Sequence, residues 1–166
     1  MDTGKRDARR RKYLSLGAGE LVAAAVFAGA ALFFVTPRLP QVQDRAALWS
    51  ALVPLLVVLV AAGLYWLLAR TWVGRVAMPR GLVITYRVLR IAFLVLLTGG
   101  LVGVVTWWPI NVGVAVLVAA VWVFGAVEYA NYFVVRLAYP VSLWFTTVGE
   151  WRTPRLVTDM RSSRHS

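Results

Sequence analysis

Four long apolar segments constrain this chain more than any other feature of its sequence. They cover residues 13–35, 47–69, 82–106 and 110–135, with ends set to within a few residues. Each is long enough to cross roughly 30 Å of hydrocarbon at about 1.5 Å per residue. Because a chain inside a bilayer must satisfy its backbone hydrogen bonds internally, each segment predicts a helix. The sequence therefore predicts an all-α membrane protein, a bundle of four transmembrane helices.

The segments outside the spans are short. Residues 1–12 form a basic arm, and residues 152–166 form a basic tail. Residues 136–151 are apolar but too short and too interrupted to span, so they predict a segment that lies along the membrane interface. The turn "WWP" at residues 107–109 is so short that the third and fourth spans should form a tight antiparallel hairpin.

The distribution of basic residues predicts the orientation. Of 18 Lys and Arg residues, only Arg38 and Arg45 lie between the first and second spans. The turn between the third and fourth spans contains no Lys or Arg. The others flank the opposite ends of the spans, and basic flanks stay in the cytoplasm. Both termini are therefore expected to be cytoplasmic. The net charge of +11 then indicates contact with anionic lipid headgroups and not with nucleic acid.

The sequence offers little material for catalysis. It has no cysteine, and its one histidine, His165, lies next to the C-terminus. Thiolate chemistry is thereby excluded, and a metal or haem site held by histidine is not expected. The serines and threonines in the spans have no His or Lys partner to activate them, and no glycine-rich phosphate loop is present. We predict a chain without cofactor, metal or catalytic residues.

Two carboxylates inside the spans are the most unusual feature of the apolar segments. A charged acid at the centre of a membrane helix costs roughly 2.5–3.5 kcal/mol on insertion scales. Glu20 lies seven residues after Tyr13, and Glu128 lies eight residues before Arg136. Both are therefore roughly 10–12 Å along their helices from the predicted cytoplasmic face. We expect them to lie at similar depth in the inner leaflet.

Several other polar side chains are expected at this depth. Together with the two carboxylates they form a predicted polar cluster: Glu20, Glu128, Asn131, Tyr132, Arg87, Arg90 and Arg136. Two interpretations stay open. The cluster could fix which helices touch, through ion pairs and hydrogen bonds of about 1–2 kcal/mol or less. It could instead bind a proton, a cation or a lipid headgroup through its carboxylates.

Small residues predict where helices approach closely. Gly17 and Gly19 precede Glu20 in "LGAGE" and would let the first span contact a neighbour. Gly99 and Gly103 form a GxxxG pattern on the third span, which is typical of helix packing in membranes.

Three stretches resemble known sequences. The stretch "EYANYFVVRLAYP" at residues 128–140 resembles an E-Y-x-N-Y-F signature of small four-span bacterial membrane proteins. That resemblance implies the bacterial cytoplasmic membrane and no particular activity. The stretch "YLSLGAGELVAAA" at residues 13–25 resembles the first span of small multidrug-resistance transporters, with Glu20 as the coupling acid. Greater length, a second glutamate and a steep charge bias depart from that family.

The stretch "RRKYLSL" at residues 10–16 resembles a twin-arginine export signal, although Glu20 and three later spans favour an uncleaved first span.

The leading functional prediction is a non-catalytic accessory or scaffold subunit whose partner is another membrane protein. The alternative is a small proton-coupled transporter or lipid-handling protein that uses Glu20 and Glu128.

Overall fold

The four predicted spans are helices in the computed structural model of the protein, which describes residues 3–72, residues 78–134 and Leu156. The first helix is α1 (Thr3–Ala30), which continues through a π-helical segment (Ala31–Val35) and one 3-10 turn (Thr36–Arg38). The others are α2 (Val42–Trp72), α3 (Arg80–Thr106) and α4 (Val112–Phe133). These residues contain no β-strand.

All four helices are long and apolar enough to cross a membrane. The predicted all-α, four-helix class is confirmed, and the chain has the architecture of a multi-pass integral membrane protein. The predicted interfacial segment (136–151) lies outside the described residues. So does the basic tail (152–166), with the exception of Leu156.

The first helix begins earlier than its apolar segment does. It starts at Thr3, so residues 3–12 of the basic arm are helical and continuous with the span. Arg, Lys and Ala in "KRDARRRK" are good helix formers, and neither glycine nor proline interrupts the run. Helix propensity therefore sets where the helix begins, and this position lies before the start of the apolar segment.

Consecutive helices run antiparallel, which gives the bundle two distinct ends. At one end, which we call the Tyr13 end, the first half of α1 lies near the last turns of α2 and α4. The rings of Tyr13 and Trp66 are 5.1 Å apart there, and Trp66 is hydrogen-bonded to Tyr132. At the other, the Asp44 end, the two short connections meet. There Gln43 Nε2 donates a hydrogen bond to the Trp108 carbonyl at 2.6 Å.

Helix α2 forms the centre of the bundle and packs against each of the other three helices. In its most apolar stretch 56% of the residues are buried, against 11% in α1, 22% in α3 and 11% in α4. The side chains buried along α2 include Ala47, Ala51, Leu55, Val58, Tyr65 and Ala69. The other helices therefore present most of their apolar surface outward, as expected of helices that face lipid.

The packing changes in character between the two ends. Near the Tyr13 end the core is aromatic, and it contains Tyr13, Tyr65, Trp72, Tyr86, Phe93, Tyr132 and Phe133. Near the Asp44 end it is made of small and aliphatic residues, namely Leu39, Ala47, Leu48, Ala51, Val104 and Val118. The aromatic core offers O–H and N–H groups for hydrogen bonds to polar side chains, whereas the buried Asp44 lies at the aliphatic end.

Candidate functional site

A chain of two hydrogen bonds joins three helices near the Tyr13 end. Trp66 Nε1 on α2 donates to the Tyr132 hydroxyl on α4 at 3.1 Å. That hydroxyl in turn donates to Glu20 Oε1 on α1 at 2.5 Å. A phenol can donate and accept at once, which allows Tyr132 to stand between the two partners. Tyr132 is buried and Glu20 is half-buried, so the link lies inside the bundle and not on its outer surface.

The second carboxylate lies beside this chain. Glu128 is half-buried on α4, where the Asn131 side-chain amide donates a hydrogen bond to it from one turn further along. Glu128 and Glu20 are close enough for their charges to interact. The structure thus brings together four members of the predicted polar cluster: Glu20, Glu128, Asn131 and Tyr132.

The arginines of the predicted cluster are placed differently. Arg87 and Arg90 are exposed on α3, and within residues 3–72 and 78–134 neither carboxylate forms an ion pair. Arg90 takes part through its backbone, because the Tyr129 hydroxyl donates to its carbonyl at 3.3 Å. Arg136 lies outside the described residues. Exposed guanidinium groups on long side chains can reach the headgroup region from the end of a span.

Aromatic donors also bond to backbone carbonyls across helix contacts. The Tyr86 hydroxyl on α3 donates to the Ala61 carbonyl on α2 at 3.2 Å. Trp122 Nε1 on α4 donates to the Leu97 carbonyl on α3 at 3.0 Å. A helical carbonyl keeps a second lone pair for such a bond. Polar aromatic groups that would otherwise be unsatisfied in lipid thus connect neighbouring helices.

Helices α1 and α4 face each other along a seam on one side of α2. Glu20 meets Tyr132 at one level, and the rings of Phe27 and Phe124 lie 5.8 Å apart at the next. The first pair is polar and the second apolar. A step towards the C-terminus of α1 is matched by a step towards the N-terminus of α4, so the two contacts place the seam between these antiparallel helices.

Of the two glycines predicted to pack on the first span, only one lies at a helix contact. A Cβ at Gly17 would lie 2.9 Å from the Gly63 carbonyl oxygen, whereas a Cβ at Gly19 would meet nothing within 4 Å. A Cβ at Gly63 would in turn lie 2.8 Å from Leu21. Gly17 and Gly63 therefore form the close crossing of α1 and α2, while Gly19 points away from it.

The glycines of α3 show the same division. A Cβ at Gly100 would lie 2.5 Å from the Ser50 carbonyl oxygen on α2, and a Cβ at Gly103 would press on the Ser50 side chain. At Gly99 a Cβ would meet nothing within 4 Å. The face that packs on α2 thus carries Gly100 and Gly103, and the predicted Gly99 is rotated about 100° from Gly100 around the helix.

The side chains of this site supply hydrogen bonds and negative charge. In the part of the chain that the structure describes, no group of three or more His, Asp or Glu residues could hold a metal ion. Sequence reasoning missed Trp66, Gly63 and Gly100. A tryptophan inside a span was a usable signal for Trp66, because its N–H needs a partner in lipid. No feature of the sequence indicated which glycines lie on the packing faces of the helices.

Comparison of the chain with known protein families, with curated proteins and with solved structures finds no significant match.

Proposed function

We propose that this chain is a non-catalytic integral membrane protein that acts as an accessory subunit of a membrane complex. The observation that carries the proposal is the hydrogen-bonded chain from Trp66 through Tyr132 to Glu20. It joins α2, α4 and α1 and engages the tyrosine hydroxyl on both sides. Polar groups bonded within the bundle in this way favour a role in fixing helix packing over a role in turnover.

The partner that fits this surface is another membrane protein. Glu20 and Glu128 are half-buried beside the α1–α4 seam and lack a cationic partner among the residues described. A helix that brought a basic or hydrogen-bond-donating side chain to this depth would satisfy them. The small buried share of α1 and α4 leaves apolar surface on either side of the seam for such a helix.

The proposed location is the bacterial cytoplasmic membrane, with both termini in the cytoplasm. Basic side chains at the Tyr13 end support this orientation, and Arg9, Arg10, Arg11 and Lys12 are exposed on the first turns of α1. The same residues would contact anionic lipid headgroups at about 1 kcal/mol each. The resemblance to small four-span bacterial membrane proteins supports the bacterial origin.

A second candidate function rests on the pair of carboxylates. Glu20 and Glu128 interact electrostatically, and two like charges inside a bilayer repel each other. A proton or a cation bound between them would relieve that repulsion, as would the amine of a lipid headgroup. The chain would then be a small proton-coupled transporter or a lipid-handling protein.

The first test places a photo-crosslinking amino acid along the seam. Leu16 lies one turn before Glu20, and Phe124 lies one turn before Glu128, each more than a third exposed (37% and 38%). Val95 on α3 is 66% exposed and serves as the matched control. An accessory subunit should crosslink to one and the same protein from both seam positions and not from Val95. Gentle extraction followed by mass spectrometry should recover that protein in fixed stoichiometry.

The opposite result would contradict the subunit proposal. If the chain is extracted alone and both seam positions crosslink only to lipid, no partner helix covers the carboxylates. The second candidate then predicts that Glu128→Gln abolishes proton flux or lipid transfer in vesicles while the bundle stays folded. If Glu128→Gln leaves proton flux and lipid transfer unchanged and lowers only the stability of the bundle, the carboxylates have a purely structural role.

A further inference from the structure

An open groove of about 860 Å³ lies at the Asp44 end, between the π-helical and 3-10 segments that follow α1 and the first turns of α4. Its walls are mainly apolar and include Phe34, Leu39, Val114 and Leu117. Phe34 lies seven residues after Phe27, and Leu117 lies seven residues before Phe124. The groove therefore lies beyond the Phe27–Phe124 contact, at the opposite end of the bundle from Glu20 and Glu128.

A buried carboxylate lines this groove. Asp44, in the first turn of α2, is only 4% exposed. Its Oδ1 accepts a hydrogen bond from the Ile110 backbone N–H at 3.2 Å. Its Oδ2 receives no hydrogen bond, and the carboxylate forms no ion pair, from any residue the structure describes. An ionised carboxylate has about four acceptor positions, so Asp44 has capacity for a donor that enters the groove.

A guanidinium lines the same groove. Arg38 is exposed in the 3-10 turn that follows α1, and its Nη1 donates to the Phe34 carbonyl at 2.5 Å. That bond uses one of the five N–H donors of the guanidinium and fixes the side chain to the wall of the groove. The remaining donors match the oxygens of a phosphate, which arginine recognises with paired hydrogen bonds.

The wall of the groove departs from regular helix geometry at this place. Phe34 and Val35 belong to the π-helical segment Ala31–Val35, and Arg38 ends the 3-10 turn that follows. Single π-helical turns in otherwise regular helices are frequent at functional sites. Here the change of winding occurs in the segment after α1 that contributes both the Phe34 ring and Arg38 to the groove.

We propose that this groove binds a bilayer phospholipid whose headgroup carries a phosphate and a protonated primary amine. Arg38 pairs with the phosphate, Asp44 accepts hydrogen bonds from the ammonium group, and Phe34 and Leu117 contact the upper part of an acyl chain. A glycerol headgroup would leave Asp44 without a cationic partner. A quaternary ammonium has no N–H to donate to the carboxylate, so both headgroups bind more weakly.

The test compares lipid retention by the whole chain. The protein is reconstituted with phosphatidylethanolamine, phosphatidylcholine or phosphatidylglycerol of identical acyl chains, and bound lipid is counted by native mass spectrometry during titration. We expect phosphatidylethanolamine to bind about tenfold more tightly than either competitor, because only its headgroup brings a charged N–H donor to Asp44. Both leaflets carry the lipid in this assay, so the result does not depend on the orientation of the chain.

Variants assign the preference to the groove. Asp44→Asn keeps an acceptor for the Ile110 N–H and should remove the preference for the primary amine. Arg38→Gln should weaken binding of all three lipids about tenfold. The matched control is Arg45→Gln. Arg45 lies at the same end and donates through Nε to the Leu39 carbonyl at 2.5 Å, but it does not line the groove. This control should bind as the unmodified chain does.

Two results would overturn the proposal. One is equal retention of the three lipids by the unmodified chain, a measurement that does not depend on whether any variant folds. The other is an Asp44→Asn chain with an unchanged circular dichroism spectrum that still prefers phosphatidylethanolamine. The accessory-subunit proposal is tested by crosslinking near the carboxylates Glu20 and Glu128, and the outcome of that test does not depend on lipid binding at the Asp44 end.

Discussion

At the scale of single residues, Tyr132 must both accept and donate a hydrogen bond at one hydroxyl. Its hydroxyl accepts from Trp66 and donates to Glu20, so one oxygen atom serves side chains from two other helices. A residue that only donated or only accepted could not replace it. The ring itself is buried, and a phenylalanine would fill the same space without either hydrogen bond.

Replacing Tyr132 by phenylalanine should therefore lower the free energy of unfolding by about 1–2 kcal/mol. The loss arises because the Trp66 N–H and the Glu20 carboxylate are both left without this partner. Unfolding in mixed micelles of increasing sodium dodecyl sulfate, followed by circular dichroism, measures it.

Tyr129→Phe is the matched control for this change. The Tyr129 hydroxyl makes a longer bond of 3.3 Å to the Arg90 backbone carbonyl, and its removal should alter stability by less. Equal losses of unfolding free energy in the two variants would contradict the prediction that the Tyr132–Glu20 hydrogen bond contributes more to stability than the Tyr129–Arg90 bond.

The sequence was informative about this residue only in part. Glu20 and Tyr132 stood out because polar groups in apolar helices are costly. Trp66 did not, because pairing between α2 and α4 depends on which faces the helices turn towards each other. Arg87 and Arg90 share the sequence signature of ion-pair partners, yet their position around α3 leaves both side chains exposed.

At the scale of helices, small residues determine how closely two helix axes approach each other. Only the small residues on the face that packs against the neighbouring helix have this effect. Gly99 and Gly100 are neighbours in sequence and lie on different faces of α3. The presence of all four helices followed from the lengths of the apolar segments, whereas the early start of α1 at Thr3 did not. The packing faces did not, because all sides of a span are apolar and hydropathy does not distinguish them.

Gly100→Ala should destabilise the bundle by about 1–3 kcal/mol, the usual effect of overpacking a close contact. The added methyl group would lie against the Ser50 carbonyl oxygen and Pro54, so α2 and α3 would have to move apart. The same unfolding assay measures the change. Gly99→Ala adds the same methyl group in open space and should be neutral or slightly stabilising. A result in which the two substitutions behave alike would contradict this arrangement of α3.

At the scale of the whole molecule, the proposed orientation follows from charge and can be tested with the chain's own composition. The sequence has no cysteine, so a single introduced thiol reports one position. Val112 is 78% exposed at the Asp44 end, and Ala8 is exposed at the other. In intact cells a membrane-impermeant maleimide should label Val112→Cys and should label Ala8→Cys only after permeabilisation. The reverse pattern would place the basic arm outside.

The central position of α2 also has a consequence for how such a chain can change over evolutionary time. One helix shares contacts with all three others, and more than half of its apolar stretch is enclosed (56%), whereas its neighbours mostly meet lipid. Lipid accepts many apolar side chains equally well, but a packed interior does not. Substitutions should accumulate freely on the outer faces of α1, α3 and α4. The second helix should remain the slowest-changing part of the sequence, and any distant relative would first become recognisable there.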